Sequence, residues 1–134
     1  MLIDKVGGML ICSFLEQQLG TPCPGIKVTD NIVAGVVSIG YTAPGHECGA
    51  SATQETFRGN VAHSINANKF ENGMGLLSYP DPTSANARKC YETSHFAGYK
   101  CAEMAIFNSF ITKKMVYNGI ISIDNRRGIG GQTA

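Results

Sequence analysis

Charged side chains are scarce in this sequence. Only 16% of its 134 residues are Asp, Glu, Lys or Arg, whereas about 25% is usual in soluble domains. Eleven basic and ten acidic side chains give a formal net charge of +1, which excludes a broad basic surface for nucleic acid or membranes. Tryptophan is also absent. A surface so poor in charge predicts that partners cover much of it.

The sequence also lacks a basic leader and a long uninterrupted apolar run. Its first residues, MLIDKVGGMLICSF, place Asp4 and Lys5 among apolar side chains, so we expect neither a secretory signal nor a membrane span. The cysteines are odd in number and have no close-set disulfide framework, which makes reduced thiols the default expectation. They are Cys12, Cys23, Cys48, Cys90 and Cys101. These features together predict a cytoplasmic protein.

The length fits one domain, residues 1–134, which is enough chain for one hydrophobic core. Its last segment, residues 125–134, reads NRRGIGGQTA. Such a glycine-rich composition frays in a free monomer. We therefore predict that a neighbouring copy orders this extended tail.

Periodicity predicts a mainly α fold of three to four helices. The longest predicted helix is Thr83–Val116, a stretch without proline that begins after the turn Pro80–Pro82. Further helices are predicted over 2–19 and over 50–68, where apolar or capping residues recur at spacing four. Residues 31–41 suit a strand or a helix, and we favour a helix. At most a short pair of strands is expected, with Ile120–Ile123 as a candidate.

The long predicted helix carries a stripe of small residues on one face. At helical spacing this stripe contains Ala87, Cys90, Ser94, Gly98, Cys101, Ala105 and Ser109. Small side chains let two backbones approach closely, so the stripe predicts lateral contacts between copies. An ordinary core helix containing a glycine is the alternative. The predicted assembly interface comprises Ala87, Ser94, Gly98, Cys101, Ala105 and the tail residues Arg126 and Arg127.

The segment Cys101-Ala-Glu103, followed by apolar residues, resembles the helix of zinc-dependent cytidine deaminases. The resemblance implies that Cys101 binds zinc and that Glu103 transfers protons. That family supplies two more ligands from a downstream Pro-Cys-x-x-Cys, but no cysteine follows Cys101 here. A catalytic zinc needs three protein ligands, and Cys23, His46 and Cys48 could substitute only if the order of the chain were permuted. A small zinc hydrolase is therefore the alternative function, while no cofactor is expected in the main one.

A second resemblance involves four short segments. Val28-Thr-Asp30, Ala43-Pro44, Val61-Ala-His-Ser64 and Ser122-Ile-Asp124 occur in an order that resembles the ribbon-forming subunits of bacterial refractile bodies, which are killing-trait proteins. The resemblance implies a structural polymer without catalysis. We therefore predict a non-enzymatic subunit that assembles with copies of itself into a ribbon, filament or shell.

Overall fold

The computed structural model of the chain describes residues 8–10, 27–69, 73–78, 90–108 and 114–131. These ranges contain fourteen strands and no helix, so they also contain no helix able to span a membrane. The mainly α fold with a long C-terminal helix, predicted from the sequence, is therefore wrong. The described chain is instead rich in short strands.

The strands are two to five residues long. They are β1 (Met9–Leu10), β2 (Val28–Thr29), β3 (Ile32–Ala34), β4 (Ile39–Ala43), β5 (His46–Glu47), β6 (Phe57–Arg58), β7 (Val61–His63), β8 (Met74–Ser78), β9 (Cys90–Ser94), β10 (Ala97–Tyr99), β11 (Met104–Asn108), β12 (Lys114–Asn118), β13 (Ile121–Ile123) and β14 (Arg127–Gly131).

These strands form three sheets, and every pairing except that of β5 is parallel. Sheet 1 has the order β2-β6-β9-β12, sheet 2 has β3-β7-β10-β13, and sheet 3 has β1-β4-β8-β11-β14. β5 pairs antiparallel with β9 beside sheet 1. The chain therefore visits sheets 1, 2 and 3 in turn, four times.

Each circuit is one coil of a β-solenoid. The coils are β2-β3-β4, β6-β7-β8, β9-β10-β11 and β12-β13-β14; we call β2-β3-β4 the first coil and β12-β13-β14 the final coil. Successive coils lie one strand spacing apart, about 4.8 Å. Parallel strands cannot be joined by a tight hairpin, and winding around a common core supplies the return path instead.

The corner between sheets 1 and 2 has the same backbone in every coil. It is two residues long, and the first of them has a positive φ: 58° at Asp30, 70° at Gly59, 51° at His95 and 66° at Gly119. Left-handed backbone turns the chain sharply, and only glycine adopts it without cost. The four corners therefore stack as a column along the solenoid.

A second column of left-handed residues follows the strands of sheet 2. Its members are Gly35, Ser64, Lys100 and Asp124, with φ between 53° and 68°. Each lies five positions after the left-handed residue of the first corner in the same coil. Each three-residue strand of sheet 2 is thus bounded by two left-handed turns.

The core inside the coils combines an aromatic cluster with small side chains. Tyr41, Phe57 and Phe96 are fully buried, with ring centroids 5.5 to 6.2 Å apart. The Tyr41 hydroxyl donates to the Val61 carbonyl at 3.2 Å, and burial raises the pKa of Tyr41 to about 12. A buried phenol with a hydrogen-bond partner satisfies its polar atom.

Three predicted helices are replaced by strands and turns. Residues 31–41 contain β3 and the start of β4, the range 50–68 contains β6 and β7, and the described part of Thr83–Val116 contains β9, β10, β11 and the start of β12. Of the predicted helix 2–19, only residues 8–10 are described, and β1 lies there. The strand expected within Ile120–Ile123 is observed as β13.

The tail predicted to need a neighbour finds partners within its own chain. Residues Arg127–Gly131 form β14, which pairs parallel with β11. The Asn125 side chain accepts from the Cys101 N–H and donates to the Gly98 carbonyl, both at 2.8 Å. These contacts lie within one chain, and the ordering of the tail by a neighbouring copy stays a prediction. Residues 132–134 lie outside the described ranges.

Candidate functional site

Cys101, the first residue of the deaminase-like segment, follows β10 and lies in the core. Its side chain is 2% exposed, and its thiol lies 3.9 Å from the Ala62 carbonyl oxygen. Burial raises the pKa of Cys101 to about 11, opposed only in part by a backbone hydrogen bond from Ile65. Zinc binds the thiolate, so this neutral, enclosed thiol is poorly suited to hold it.

Glu103, the predicted proton carrier, is paired with two arginines. One carboxylate oxygen lies 3.1 Å from Arg126 Nη1, and the other lies 3.3 Å from Arg127 Nε. The two arginines predicted for an interface between copies are therefore held by their own chain. Their side chains are largely exposed, so each ion pair contributes at most about 1 kcal/mol to stability.

His46 and Cys48, the substitute zinc ligands, lie beside sheet 1, His46 within β5 and Cys48 directly after it. Cys48 forms a disulfide with Cys90, so the expectation of reduced thiols is wrong for these two cysteines. Within the described ranges, no three His, Cys, Asp or Glu side chains are grouped as metal ligands. The structure thus does not bring Cys101, Cys48 and His46 together.

A serine, a histidine and a glutamate do meet beside β9. Ser94 Oγ lies 3.0 Å from Glu92 Oε1 and 3.3 Å from His46 Nε2. In a nucleophilic triad the histidine takes the proton of the serine and the carboxylate orients the histidine. Here the Ser94 hydroxyl donates to the carboxylate of Glu92, so His46 Nε2–H must be the donor to Ser94. This order of donors and acceptors differs from that of a nucleophilic triad, so the three side chains form a structural hydrogen-bond network.

The predicted small-residue interface is mostly inside the solenoid. Ser94, Gly98, Cys101 and Ala105 are buried, and Ala87 lies outside the described ranges. A Cβ built at Gly98 would lie 2.7 Å from the Ala105 Cβ. The close approach that the small residues predicted is real, but it joins β10 to β11 within one chain.

The final coil presents the most accessible apolar side chains of the described C-terminal half. Ile121, Ile123 and Ile129 are 53%, 59% and 47% exposed. On their outer edges β12, β13 and β14 pair with no described strand. Unpaired edges of this kind offer a row of backbone donors and acceptors to any further strand.

The first coil presents the complementary edges. β2 and β3 stand last in sheets 1 and 2, with no described strand on their outer side. Ile32 in β3 is 68% exposed. Because β3 and β13 belong to the same sheet and both point the same way along it, the two ends share one cross-section and one strand direction.

The outer face of sheet 2 connects these two ends. It has no Asp, Glu, Lys or Arg among its outward positions, which are Ile32, Ala34, Val61, His63, Ala97, Tyr99, Ile121 and Ile123. The rings of His63 and Tyr99 stack at 4.7 Å between centroids and are nearly parallel. The apolar side chains of Ile32, Val61, Ala97 and Ile121 lie in register and form a ladder that continues to both edges.

The sequence analysis did not predict the exposed strand edges at the two ends because it did not detect the coils. Turn-forming residues five positions apart could have indicated the coils. They are Asp30 and Gly35 in the first coil and Gly119 and Asp124 in the final coil. Glycine and aspartate are both frequent at such positions.

Comparison with known proteins gives no match. No protein-family model matches the chain, and no curated protein or solved structure matches it either. The resemblances to refractile-body subunits and to cytidine deaminases thus stay predictions that these comparisons do not test.

Proposed function

We propose that this chain is a non-enzymatic structural subunit that polymerises by stacking the final coil of one copy on the first coil of the next. The observation that carries the proposal is the pair of outer edges of β13 and β14, which pair with no strand in the part of the chain that the structure describes. A second copy could add its first coil at this end, with β3 pairing with β13 in sheet 2. In sheet 3 the outer edge of β4 is already paired with β1, so β14 would face β1 of the next copy.

The two ends differ, which determines the kind of assembly. A final coil that meets a first coil makes a heterologous, head-to-tail contact, and such contacts generate an open filament when the rotation does not close a ring. Parallel pairing is kept across the junction, since β13 would meet β3 of the next copy. Ile121 of one copy would then continue the ladder that begins with Ile32 of the next.

Apolar exposure at the ends supports the same assembly. Stacking would cover Ile129 and would partly cover Ile32, Ile121 and Ile123, which lie on the outward face of sheet 2. Full burial of one isoleucine side chain contributes about 1.5–3 kcal/mol, so a partly covered one contributes less. The partners expected from the sequence, copies of the same chain, are thus the partners that this geometry accommodates best.

The test uses variants that block one end each. Lysine on an edge strand opposes pairing, so Ile121→Lys/Ile123→Lys blocks the final coil, and Ile32→Lys blocks the first. Ala97→Lys is the matched control, because Ala97 lies on the same outer face but in an inner strand, β10. Light scattering after size exclusion and negative-stain microscopy measure the assemblies.

We expect wild type and Ala97→Lys to form filaments and each end-blocked variant to be monomeric. An equimolar mixture of the two end-blocked variants should form dimers and nothing longer, because each retains one open end of opposite kind. Wild-type protein that stays monomeric at high concentration, or a mixture that forms no dimer, would contradict the proposal.

A further inference from the structure

The Cys48–Cys90 disulfide lies where the described pairing within sheet 1 is irregular. β6 is two residues long and pairs with β9 only at Arg58 and Ser94, so it leaves most of the β9 edge unmatched. β5 takes that place, with His46 opposite Glu92 and Glu47 opposite Tyr91. Cys48 follows immediately, and its N–H donates to the Cys90 carbonyl at 3.0 Å.

A two-residue strand is too short to hold this position by backbone pairing alone. The segment that carries β5 leaves the first coil after Ala43 and returns at Phe57. Besides the disulfide and the pairing of β5 with β9, its far end is held by the hydrogen bond from the Val28 N–H to the Thr56 carbonyl at 2.8 Å and by the ion pair of Glu55 with Arg58 at 3.0 Å. The disulfide joins residues 42 positions apart in sequence and fixes the segment against β9.

The segment that carries β5 shields polar side chains from water. His46 is 4% exposed and Ser94 is 1% exposed, and their hydrogen bond crosses from β5 to β9. If β5 left β9, the Ser94 network and the backbone edge of β9 would meet water. The covalent link therefore protects both a buried network and a strand edge.

We propose that the chain completes its fold in an oxidising compartment, where the Cys48–Cys90 disulfide fastens β5 onto β9. Two thiols lose two protons and two electrons as the S–S bond forms, and a disulfide-bearing oxidant protein takes them up and becomes a dithiol. Structural disulfides of this kind persist where glutathione and thioredoxin do not reduce them. The cytoplasmic location expected from the sequence rested on reduced thiols, and that basis is lost for this pair.

Cys101 is an internal control for the alkylation of thiols. It is a free thiol buried in the core, so it should resist alkylation in the native protein and react once the chain is denatured. The contrast separates thiols that are protected by burial from thiols that are consumed by a disulfide.

The experiment traps thiols with N-ethylmaleimide in the intact cells that make the protein, followed by peptide mapping without reductant. The expected result is a cross-linked pair of peptides carrying Cys48 and Cys90. Maleimide on both of these cysteines would overturn the proposal, because it would show that the protein is kept reduced where it works.

The role of the link is tested on the purified full chain with limited proteolysis. Dithiothreitol should speed cleavage within residues 44–56 of the wild type at least about tenfold. The matched control is Cys48→Ser/Cys90→Ser, which should be cleaved rapidly with or without dithiothreitol. Equal resistance of the oxidised wild type, the reduced wild type and the double variant would refute the fastening role.

Discussion

At the scale of single residues, glycine and alanine determine how closely two strands pack inside the solenoid. Gly98 in β10 faces Ala105 in β11 so closely that a Cβ on the glycine would lie 2.7 Å from the Ala105 Cβ and 3.0 Å from its Cα. Real Cβ atoms do not approach backbone atoms so closely without displacement. The missing methyl group therefore determines how near sheets 2 and 3 come to each other.

We predict that Gly98→Ala lowers the free energy of unfolding by about 1–3 kcal/mol, the usual cost of overpacking a core. Thermal or urea unfolding followed by circular dichroism measures the change. Gly128→Ala is the matched control, because its nearest neighbour would be Ser122 Oγ at 3.6 Å, an ordinary contact. A Gly98→Ala variant as stable as wild type would show that β10 and β11 can separate at little cost.

Residue spacing explains why the sequence predicted a helix here. Ser94, Gly98, Cys101 and Ala105 are all buried, and their separations of four, three and four residues match one face of an α-helix. In the structure, short strands broken by the left-handed residues His95 and Lys100 produce the same spacing. Periodicity could therefore identify the buried positions but could not distinguish a helix from a coil with two sharp corners.

At the scale of elements, the corners determine the path of the chain. In each coil the strand of sheet 2 is enclosed by two left-handed residues five positions apart. Glycine occupies some of these positions and Lys, Ser or His others. Left-handed backbone costs a residue other than glycine about 1–2 kcal/mol, so the second column contains both relaxed and strained members.

We predict opposite effects for two exchanges within that second column. Lys100→Gly should raise the free energy of unfolding by up to about 1 kcal/mol, since it relieves strain at φ 53°. Gly35→Ala should lower it by about 1–2 kcal/mol, since φ is 68° and no atom lies near the new methyl group, so that strain acts alone. Equilibrium unfolding in urea measures both. The same sign for the two variants would show that these corners are not held in the left-handed conformation.

Local chemistry made part of this pattern predictable. The strand expected within Ile120–Ile123 is observed as β13, directly after the corner at the left-handed Gly119. The corner at Lys100 carries a residue type that seldom adopts a positive φ, so the sequence does not indicate a turn there. The coils also differ in length, which removed the fixed period by which repeat proteins are usually detected.

At the scale of the whole molecule, each coil contacts mainly the coils before and after it. β8 and β11 lie between strands on both sides in sheet 3, whereas β14 is paired on one side among the described strands. Stability in such an architecture is close to a sum of nearest-neighbour terms. The final coil therefore depends on a single interface.

We predict a gradient of amide hydrogen exchange along the solenoid. In dilute monomeric protein, amides of β8 and β11 should exchange most slowly and those of β12, β13 and β14 faster, because a terminal coil opens without disturbing the rest. Exchange followed by mass spectrometry resolves these segments. Assembly should slow exchange in the final coil and leave the inner strands unchanged; uniform protection in the monomer would instead indicate a single cooperative unit.

The connection from sheet 3 back to sheet 1 in the first coil has a practical consequence. Residues 44–56 form this connection, and residues 51–54 within it are exposed. Lengthening a connection adds little closure entropy, so this exposed stretch tolerates extra sequence while the axial spacing is preserved. A foreign peptide inserted there would be displayed on the flank of the solenoid, and a filament of such chains would carry it at regular intervals, as a scaffold for arrayed antigens or enzymes.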